Sequence, residues 1–136
     1  MAESRPQKDV VTCFLECNGW ILILRRSQKV GSFRGRWAGV SGYIETIAEE
    51  QALVEIEEET GLGRGQVELV RQGEPLTVEG EGFIWRVHPF LFHVKDTDCL
   101  KTDWEHTEFR WIKPSQIGDY QTVPMLKEVL TKVLWE

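Results

Sequence analysis

Three carboxylates stand close together near the middle of the chain, within the run Glu55-Ile56-Glu57-Glu58-Glu59. Glu55, Glu58 and Glu59 occupy positions i, i+3 and i+4, so a helix places them on one face and within reach of one another. Like charges at these spacings repel by about a few tenths of a kcal/mol per pair, unless a cation lies between them. Oxygen ligands suit hard divalent ions, above all Mg2+ where the partner is a phosphate. The spacing therefore predicts a metal site for a phosphorylated small molecule.

A helix over roughly residues 47–60 must hold these carboxylates. Thr46 and Glu49 match the T-x-x-E capping box that begins a helix. Gly61 stands where a left-handed residue ends one. The remaining acids of the helix lie off the shared face, and we expect them to be solvated: Glu49, Glu50 and Glu57.

The flanking segments predict a mixed sheet between helices. Strand patterns cover residues 10–15 and 20–24, joined by an Asn18-Gly19 turn. Further strands are predicted over 67–79, 83–94 and 108–112, with Pro89 at an edge or bulge, and a final helix entered through Thr122 and Pro124. Its predicted buried stripe is Met125, Leu126, Val129, Leu130, Val133 and Leu134. The order predicts an α/β/α sandwich with a mixed β-sheet, as one domain over residues 1–136.

Glycine, loop, acidic helix and glycine in this order resemble the Nudix box, G-x5-E-x7-R-E-U-x-E-E-x-G-U, where U is a bulky aliphatic residue. The second half of the pattern is in register at Glu55, Ile56, Glu58, Glu59, Gly61 and Leu62. Two other segments are similar to the family as well. Residues 36–42 resemble its W-x-x-P-G-G lead into the box, with Val40 in place of proline, and residues 105–112 resemble its strand before a short helix.

The first half of the box departs from the family pattern. Glu55 follows Gly42 by 13 positions, two fewer than the pattern requires, and Val54 stands where the family has arginine. The family's first glutamate falls on Thr46 or on Glu45, depending on where the gap lies. Losing one member of a semi-buried ion pair costs several kcal/mol, whereas losing both can be nearly neutral. The short loop and Val54 together indicate a coordinated rebuild of the box.

The resemblance implies a hydrolase in which water attacks a phosphorus of a nucleoside diphosphate linked to another group, with Mg2+ or Mn2+ as cofactor. The implied metal ligands are Glu55, Glu58 and Glu59, the carbonyl of Gly42 and, from a downstream loop, Glu105. Glycine at 42 lets the backbone approach the ion. Glu58 is the first candidate for the general base, and Glu45, Asp103 and Glu105 remain open.

Phosphate contacts are expected from arginines on loops near the box, because the guanidinium fork can bind two phosphate oxygens at once. The candidates are Arg25 or Arg26 together with Arg34 and Arg36. Trp37 and Trp85 are candidates for stacking on a base. His88 and His106 are interpreted as structural, since neither stands at a ligand spacing.

Composition excludes several other classes of function. The net charge of −6 argues against binding extended nucleic acid, which requires a basic surface. No apolar run is long enough to cross a membrane. The polar start lacks an apolar signal core, and Cys13, Cys17 and Cys99 show no zinc-type spacing, so we expect reduced thiols in a cytoplasmic protein. The expected partner is a small nucleotide-type molecule, and a homodimer is kept open.

Two further hypotheses remain open: a catalytically weak Nudix-fold module that binds or senses a nucleotide, and an unrelated α/β interaction protein with an acidic helix. The substrate is also open. ADP-ribose-directed relatives tend to carry a proline beyond the box, and Pro75 is near that position but does not match it. Dinucleoside-polyphosphate relatives tend to carry a tyrosine there, and this chain has none between Tyr43 and Tyr120.

Overall fold

A computed structural model describes residues 5–96, 100–101 and 103–134. In chain order the elements are β1 (Gln7–Cys17), β2 (Trp20–Arg26), β3 (Trp37–Ala38), β4 (Val40–Tyr43), α1 (Ala48–Thr60), a 3-10 helix (Arg64–Gln66), β5 (Val67–Gln72), β6 (Leu76–Gly80), β7 (Phe83–Val94), β8 (His106–Ile112), a second 3-10 helix (Pro114–Asp119) and α2 (Leu126–Leu134). All the strands belong to one eight-stranded mixed sheet.

Strand β1 organises the sheet because it pairs on both of its edges. It runs parallel to β7 from the pair Gln7 and Ile84 to the pair Glu16 and His93. Its other edge pairs antiparallel with β4 and, beyond the Asn18-Gly19 turn, with β2. Strands β3 and β8 then pair with β2, and β5 and β6 with β7.

Two apolar cores cover the two faces of this sheet. Alternate side chains of a strand point to opposite faces, so Phe14 of β1 lies in one core while Cys13 and Leu15 lie in the other. Helix α2 covers the Phe14 face and α1 covers the opposite face through Ala52 and Ile56. The predicted α/β/α sandwich with a mixed sheet is confirmed.

The predicted buried stripe of the last helix is confirmed at Leu126, Val129, Leu130 and Val133. Met125 is instead 43% exposed, because it precedes the helix in a left-handed conformation with φ 61°. No helix in the described part of the chain is long and apolar enough to span a bilayer.

The predicted long strand over residues 67–79 is wrong, since β5 and β6 are separated by Gly73-Glu74-Pro75. A proline has no N–H for the ladder, and the Gly73 N–H donates to the carbonyl of Pro89 instead. Pro89 itself lies within β7, an interior strand, opposite this break between Gln72 and Leu76. The gap between β5 and β6 therefore accommodates both Pro75 and Pro89, neither of which can donate to the ladder.

The predicted capping box at Thr46 and Glu49 is also wrong. Helix α1 begins after Ile47, whose backbone is extended, and no side chain caps it there. The short loop enters the helix one residue late, and Gln51 reaches back to accept a hydrogen bond from the Glu45 N–H at 3.0 Å. The other end matches the expectation, because Gly61 has φ 78° and its N–H donates to the carbonyl of Glu57.

Both cysteines in the described residues are free, with Cys13 buried and Cys17 partly buried. Burial, with Glu59 and Glu55 nearby, raises the pKa of the Cys13 thiol well above its ordinary value, which keeps it protonated. Cys99 lies outside the described residues.

Candidate functional site

The three predicted carboxylates of α1 lie on one face, but at very different depths. Glu58 is exposed, Glu55 is partly buried and Glu59 is only 1% exposed. The off-face acids are at the surface as expected, and Glu50 pairs there with Arg64. Glu55 and Glu58 line a cleft of about 480 Å³, while Glu59 lies behind Glu55.

Gly42 of β4 makes room for Glu55. A Cβ atom at residue 42 would lie 2.2 Å from the Glu55 carboxyl carbon and 2.3 Å from its Oε1. Real Cβ atoms do not approach so closely, so only glycine allows this carboxylate to lie against the strand. The structure thus places Gly42 in direct contact with Glu55, and its predicted role as a carbonyl ligand stays a prediction.

The carboxyl groups of Glu55 and Glu59 are close enough to affect each other's pKa. Burial, followed by Glu105 and Glu55, raises the pKa of Glu59 well above its ordinary value. Burial also raises the pKa of Glu55, against the lowering effect of its hydrogen bond from Gln51. Without a cation, burial and the neighbouring carboxylates therefore favour the protonated form of Glu59.

The loop before β8 brings a third carboxylate to the cleft. Glu105 lines it, and partial burial, with Asp103 and Glu55 nearby, raises the pKa of this carboxyl. Its backbone carbonyl accepts a hydrogen bond from the Ser27 N–H at 2.7 Å, which ties the loop to the end of β2. Among the predicted ligands, Glu55, Glu58, Gly42 and Glu105 thus meet in one cleft.

His106, interpreted from the sequence as structural, lies beside the buried carboxyl group of Glu59. Its side chain is buried, with Nε2 3.6 Å from Glu59 Oε1 and Nδ1 2.9 Å from Asp103 Oδ1. Burial lowers its pKa from the ordinary value, so the neutral ring donates from Nδ1 to Asp103. Asp103, a candidate base, is thereby engaged with His106. The only sequence signal was the position of His106 next to Glu105.

Two buried polar atoms in the described residues lack a hydrogen-bond partner, Glu59 Oε2 and His106 Nε2. Such orphaned atoms are rare in folded proteins and call for an explanation. Together with the carboxylates of the cleft, the Glu59 oxygen fits a hard divalent cation such as Mg2+ or Mn2+. No three His, Cys, Asp or Glu side chains of the described chain are placed to hold one ion. Mg2+ commonly needs only one or two protein carboxylates, with substrate phosphates and water as further ligands.

The arginine at the cleft is Arg26. Burial lowers the pKa of its guanidinium, while Glu59 and Glu105 oppose the shift, and Nε donates to the carbonyl of Ser32 at 2.9 Å. Arg25 points elsewhere, toward the carbonyl of Gly35 and the carboxylate of Glu108. Of the two alternatives Arg25 and Arg26, the structure brings Arg26 to the carboxylates.

The other predicted substrate residues lie away from the carboxylates. Arg34 and Arg36 line a neighbouring open groove, which shares Phe33 with the cleft. Trp37 is buried in the α2 core, with its ring edge against Tyr120 at 5.4 Å between centroids. These three positions remain predictions as substrate contacts.

The end of the cleft away from the carboxylates is apolar. Its wall is formed by aliphatic side chains of the sheet and of α2, among them Val10, Val78, Val87, Leu126 and Val129. Trp85 also lines it and stacks on Tyr43 at 6.3 Å between ring centroids. The cleft therefore offers oxygen ligands at one end and an apolar, aromatic surface at the other.

Raised carboxyl pKa values predict that the metal-free protein loses stability as the pH rises. Glu55, Glu59 and Glu105 have an ordinary pKa of 4.5 and hold protons more tightly when folded. The unfolded chain releases these protons first, so stability falls as the pH rises through the folded pKa values. His106 acts in the opposite direction below its ordinary pKa of 6.5. We therefore expect the melting temperature of the metal-free protein to fall as the pH rises above about 6.5.

Magnesium should reverse this trend, because the ion competes with the protons for the same oxygens. The rise in melting temperature at saturating Mg2+ should be larger at pH 8 than at pH 6. Calorimetric melts at both pH values, with Mg2+ or with equal ionic strength of NaCl, measure the difference. An equal rise at both pH values would mean that Mg2+ does not displace protons from these carboxyl groups.

The family model described as the NUDIX domain matches residues 5–133 of the chain. A MutT protein from Methanosarcina mazei Go1 has a similar structure, with 21% identity, a TM-score of 0.77 and coverage of 96% of this chain and 94% of that one. The structure of a C. elegans Ap4A hydrolase binary complex is also similar, with 17% identity, a TM-score of 0.75 and coverage of 93% of each chain.

The NUDIX domain of Shewanella oneidensis NrtR, complexed with ADP ribose, gives 12% identity and a TM-score of 0.73, over 94% of this chain and 86% of that one. No functionally curated protein sequence matches the chain significantly. The structural likenesses show the fold, and the family model adds the sequence evidence. Because that model spans nearly all of the described chain, this protein belongs to the Nudix family.

Proposed function

We propose that this chain hydrolyses a pyrophosphate bond in a nucleoside diphosphate linked to another group, with Mg2+ or Mn2+ as cofactor. The observation that carries the proposal is the cleft, in which Glu55, Glu58 and Glu105 face a space that continues to Trp85. Nudix hydrolases in general use divalent metals. A pyrophosphate needs its charge neutralised before water can attack, and the carboxylate end supplies ligands for that cation.

The reaction adds water across one P–O–P bridge. The water oxygen forms a bond to one phosphorus, the bridging P–O bond breaks, and the products are a nucleotide and a phosphorylated remainder. A bound divalent cation would neutralise phosphate oxygens and lower the pKa of the attacking water. In this proposal Glu55 and Glu59 would hold the cation together with the carbonyl of Gly42, and Glu105 lines the same cleft from its loop.

Glu58 is the proposed general base. It is exposed at the cleft and one helical turn from Glu55, so it can accept the water proton and release it to solvent. Glu45 also lines the cleft and remains the alternative. Asp103 is less suited to the role because it accepts a hydrogen bond from His106.

Arg26 is the proposed phosphate contact, since it lines the cleft and remains charged. The nucleoside or the linked group would lie against the apolar end, where Trp85 offers an aromatic face. Arg34 and Arg36 border the neighbouring groove and could contact a longer substrate there.

A second candidate function is a nucleotide-binding module with weak turnover. Val54 and the shortened loop favour it, because the family's arginine is missing from the box. A screen of nucleotide substrates with Mg2+ and Mn2+, including ADP-ribose and Ap4A, distinguishes the two. Metal-dependent release of a nucleotide supports the hydrolase, whereas saturable binding without product supports the module.

Replacing Gly42 with alanine should reduce activity about 100-fold, because the new Cβ must push the Glu55 carboxylate out of place. The clash is with the far end of a flexible side chain, so the fold should persist with a similar melting temperature. Gly65→Ala is the matched control, since a Cβ there meets no atom within 4 Å. Turnover assays and thermal melts of both variants provide the measurement. A fully active Gly42→Ala protein would remove Glu55 from the proposed metal site.

A further inference from the structure

Gln51 links the shortened loop to the carboxylate of Glu55. Its Oε1 accepts a hydrogen bond from the Glu45 N–H at 3.0 Å, and its Nε2 donates to Glu55 Oε2 at 2.9 Å. The side chain is 6% exposed. Its partners fix the orientation of the amide, because a backbone N–H can only donate and a carboxylate can only accept.

Val54 stands at the box position where the family has arginine. Its apolar side chain cannot hydrogen-bond the loop to Glu55 as Gln51 does. It is 40% exposed and lines the cleft without a polar group. Gln51 precedes Glu55 by four residues on α1, so one helical turn places the two side chains on the same face. The link between the shortened loop and Glu55 thus comes from residue 51.

We propose that Gln51 is the positioning residue of this site, holding Glu55 in its metal-binding orientation in place of the missing box arginine. The inference rests on the proposed function for its consequence in catalysis. A neutral amide is enough here because the loop offers a backbone N–H rather than a carboxylate. The loss of two loop residues, the loss of the arginine and the presence of Gln51 then form one coordinated change.

The alternative is that Gln51 only ties the loop to the helix and contributes nothing through Glu55. Gln66 provides a matched case of such a tie, since its Oε1 accepts a hydrogen bond from the Gly63 N–H at 2.8 Å, at the other end of α1. Gln66 does not line the cleft. Gln66→Met should therefore lower the melting temperature without changing turnover or Mn2+ affinity.

The test is a cycle of Gln51→Met, Glu55→Gln and the double variant, with turnover number, Mn2+ affinity by calorimetry and melting temperature as readouts. Gln51→Met keeps the length of the side chain and removes both hydrogen bonds. Alone, it should reduce turnover and Mn2+ affinity about 10- to 100-fold, as changes behind metal ligands do. In the Glu55→Gln background it should change them less than about 2-fold, because the two residues act as one unit.

Equal reductions in the two backgrounds would overturn the proposal, and so would unchanged turnover and Mn2+ affinity in Gln51→Met. If Gln51→Met does not fold, Gln51→Glu keeps the bond to the Glu45 N–H and loses the donor toward Glu55. Its turnover should still fall, and unchanged turnover would overturn the proposal.

The cycle also separates this inference from the proposed function. If the wild-type chain binds Mn2+ but hydrolyses nothing, the proposed function fails, and the Mn2+ affinities alone decide the role of Gln51. If the wild-type chain binds no Mn2+, the proposed function and the positioning role of Gln51 both fail.

Discussion

Glu59→Gln should reduce turnover by about 100- to 1000-fold while leaving the metal-free protein as stable as the wild type or more so. Glu59 is buried and its pKa is raised, so in the absence of metal its neutral form is favoured. A glutamine amide is likewise neutral and has nearly the same shape. It cannot lose a proton to bind a cation, and the site should therefore fail only when metal is required.

Two measurements check this result. The turnover number with Mg2+ should fall, and the rise in melting temperature caused by Mg2+ should shrink or vanish. At pH 8 without metal, the variant should melt at a higher temperature than the wild type, because the raised pKa of Glu59 makes its charged form costly there. A variant that keeps both turnover and the magnesium effect would show that the metal does not use this carboxylate.

Glu58→Gln should reduce turnover by about 100- to 10,000-fold, the range that general bases contribute. The amide has nearly the same shape, and Glu58 is exposed, so we expect little change in melting temperature. If Glu58 serves mainly as the base, Mg2+ should still raise the melting temperature of this variant, unlike that of Glu59→Gln.

Glu57→Gln is the matched control, since Glu57 is exposed on the same turn of α1 but does not line the cleft. It should retain nearly full activity. Equal losses in Glu57→Gln and Glu58→Gln would mean that the helix contributes only a general negative field, and would move the base to Glu45 or Glu105.

Local patterns predicted the elements well wherever periodicity and turn residues acted together. The Asn18-Gly19 hairpin, the end of α1 at Gly61 and the stripe of α2 are present as expected. Each depends on contacts within a few residues, which the order of residue types determines. The predicted strand 67–79 failed because the partner of Gly73 is Pro89, far away in the chain.

The start of α1 shows the same limit at the site itself. Thr46 and Glu49 have the right spacing for a capping box. Spacing cannot reveal, however, that after the shortened loop Gln51 accepts a hydrogen bond from the Glu45 N–H instead. Arg25 and Arg26 are likewise equivalent in sequence. Successive residues of a strand point to opposite faces, and only the position of the cleft decides which one faces it.

Gly42 entered only through the resemblance to the Nudix box, as a carbonyl ligand. Residue patterns predicted the acidic face of α1, its end at Gly61 and the sandwich of a mixed sheet between helices. These follow from residue spacing along one helix or strand. Tertiary structure decided the depth of each acid: Glu58 at the surface, Glu59 buried beside His106. Burial and neighbouring charge set the pKa of a carboxyl group, and both come from distant parts of the chain brought together by folding.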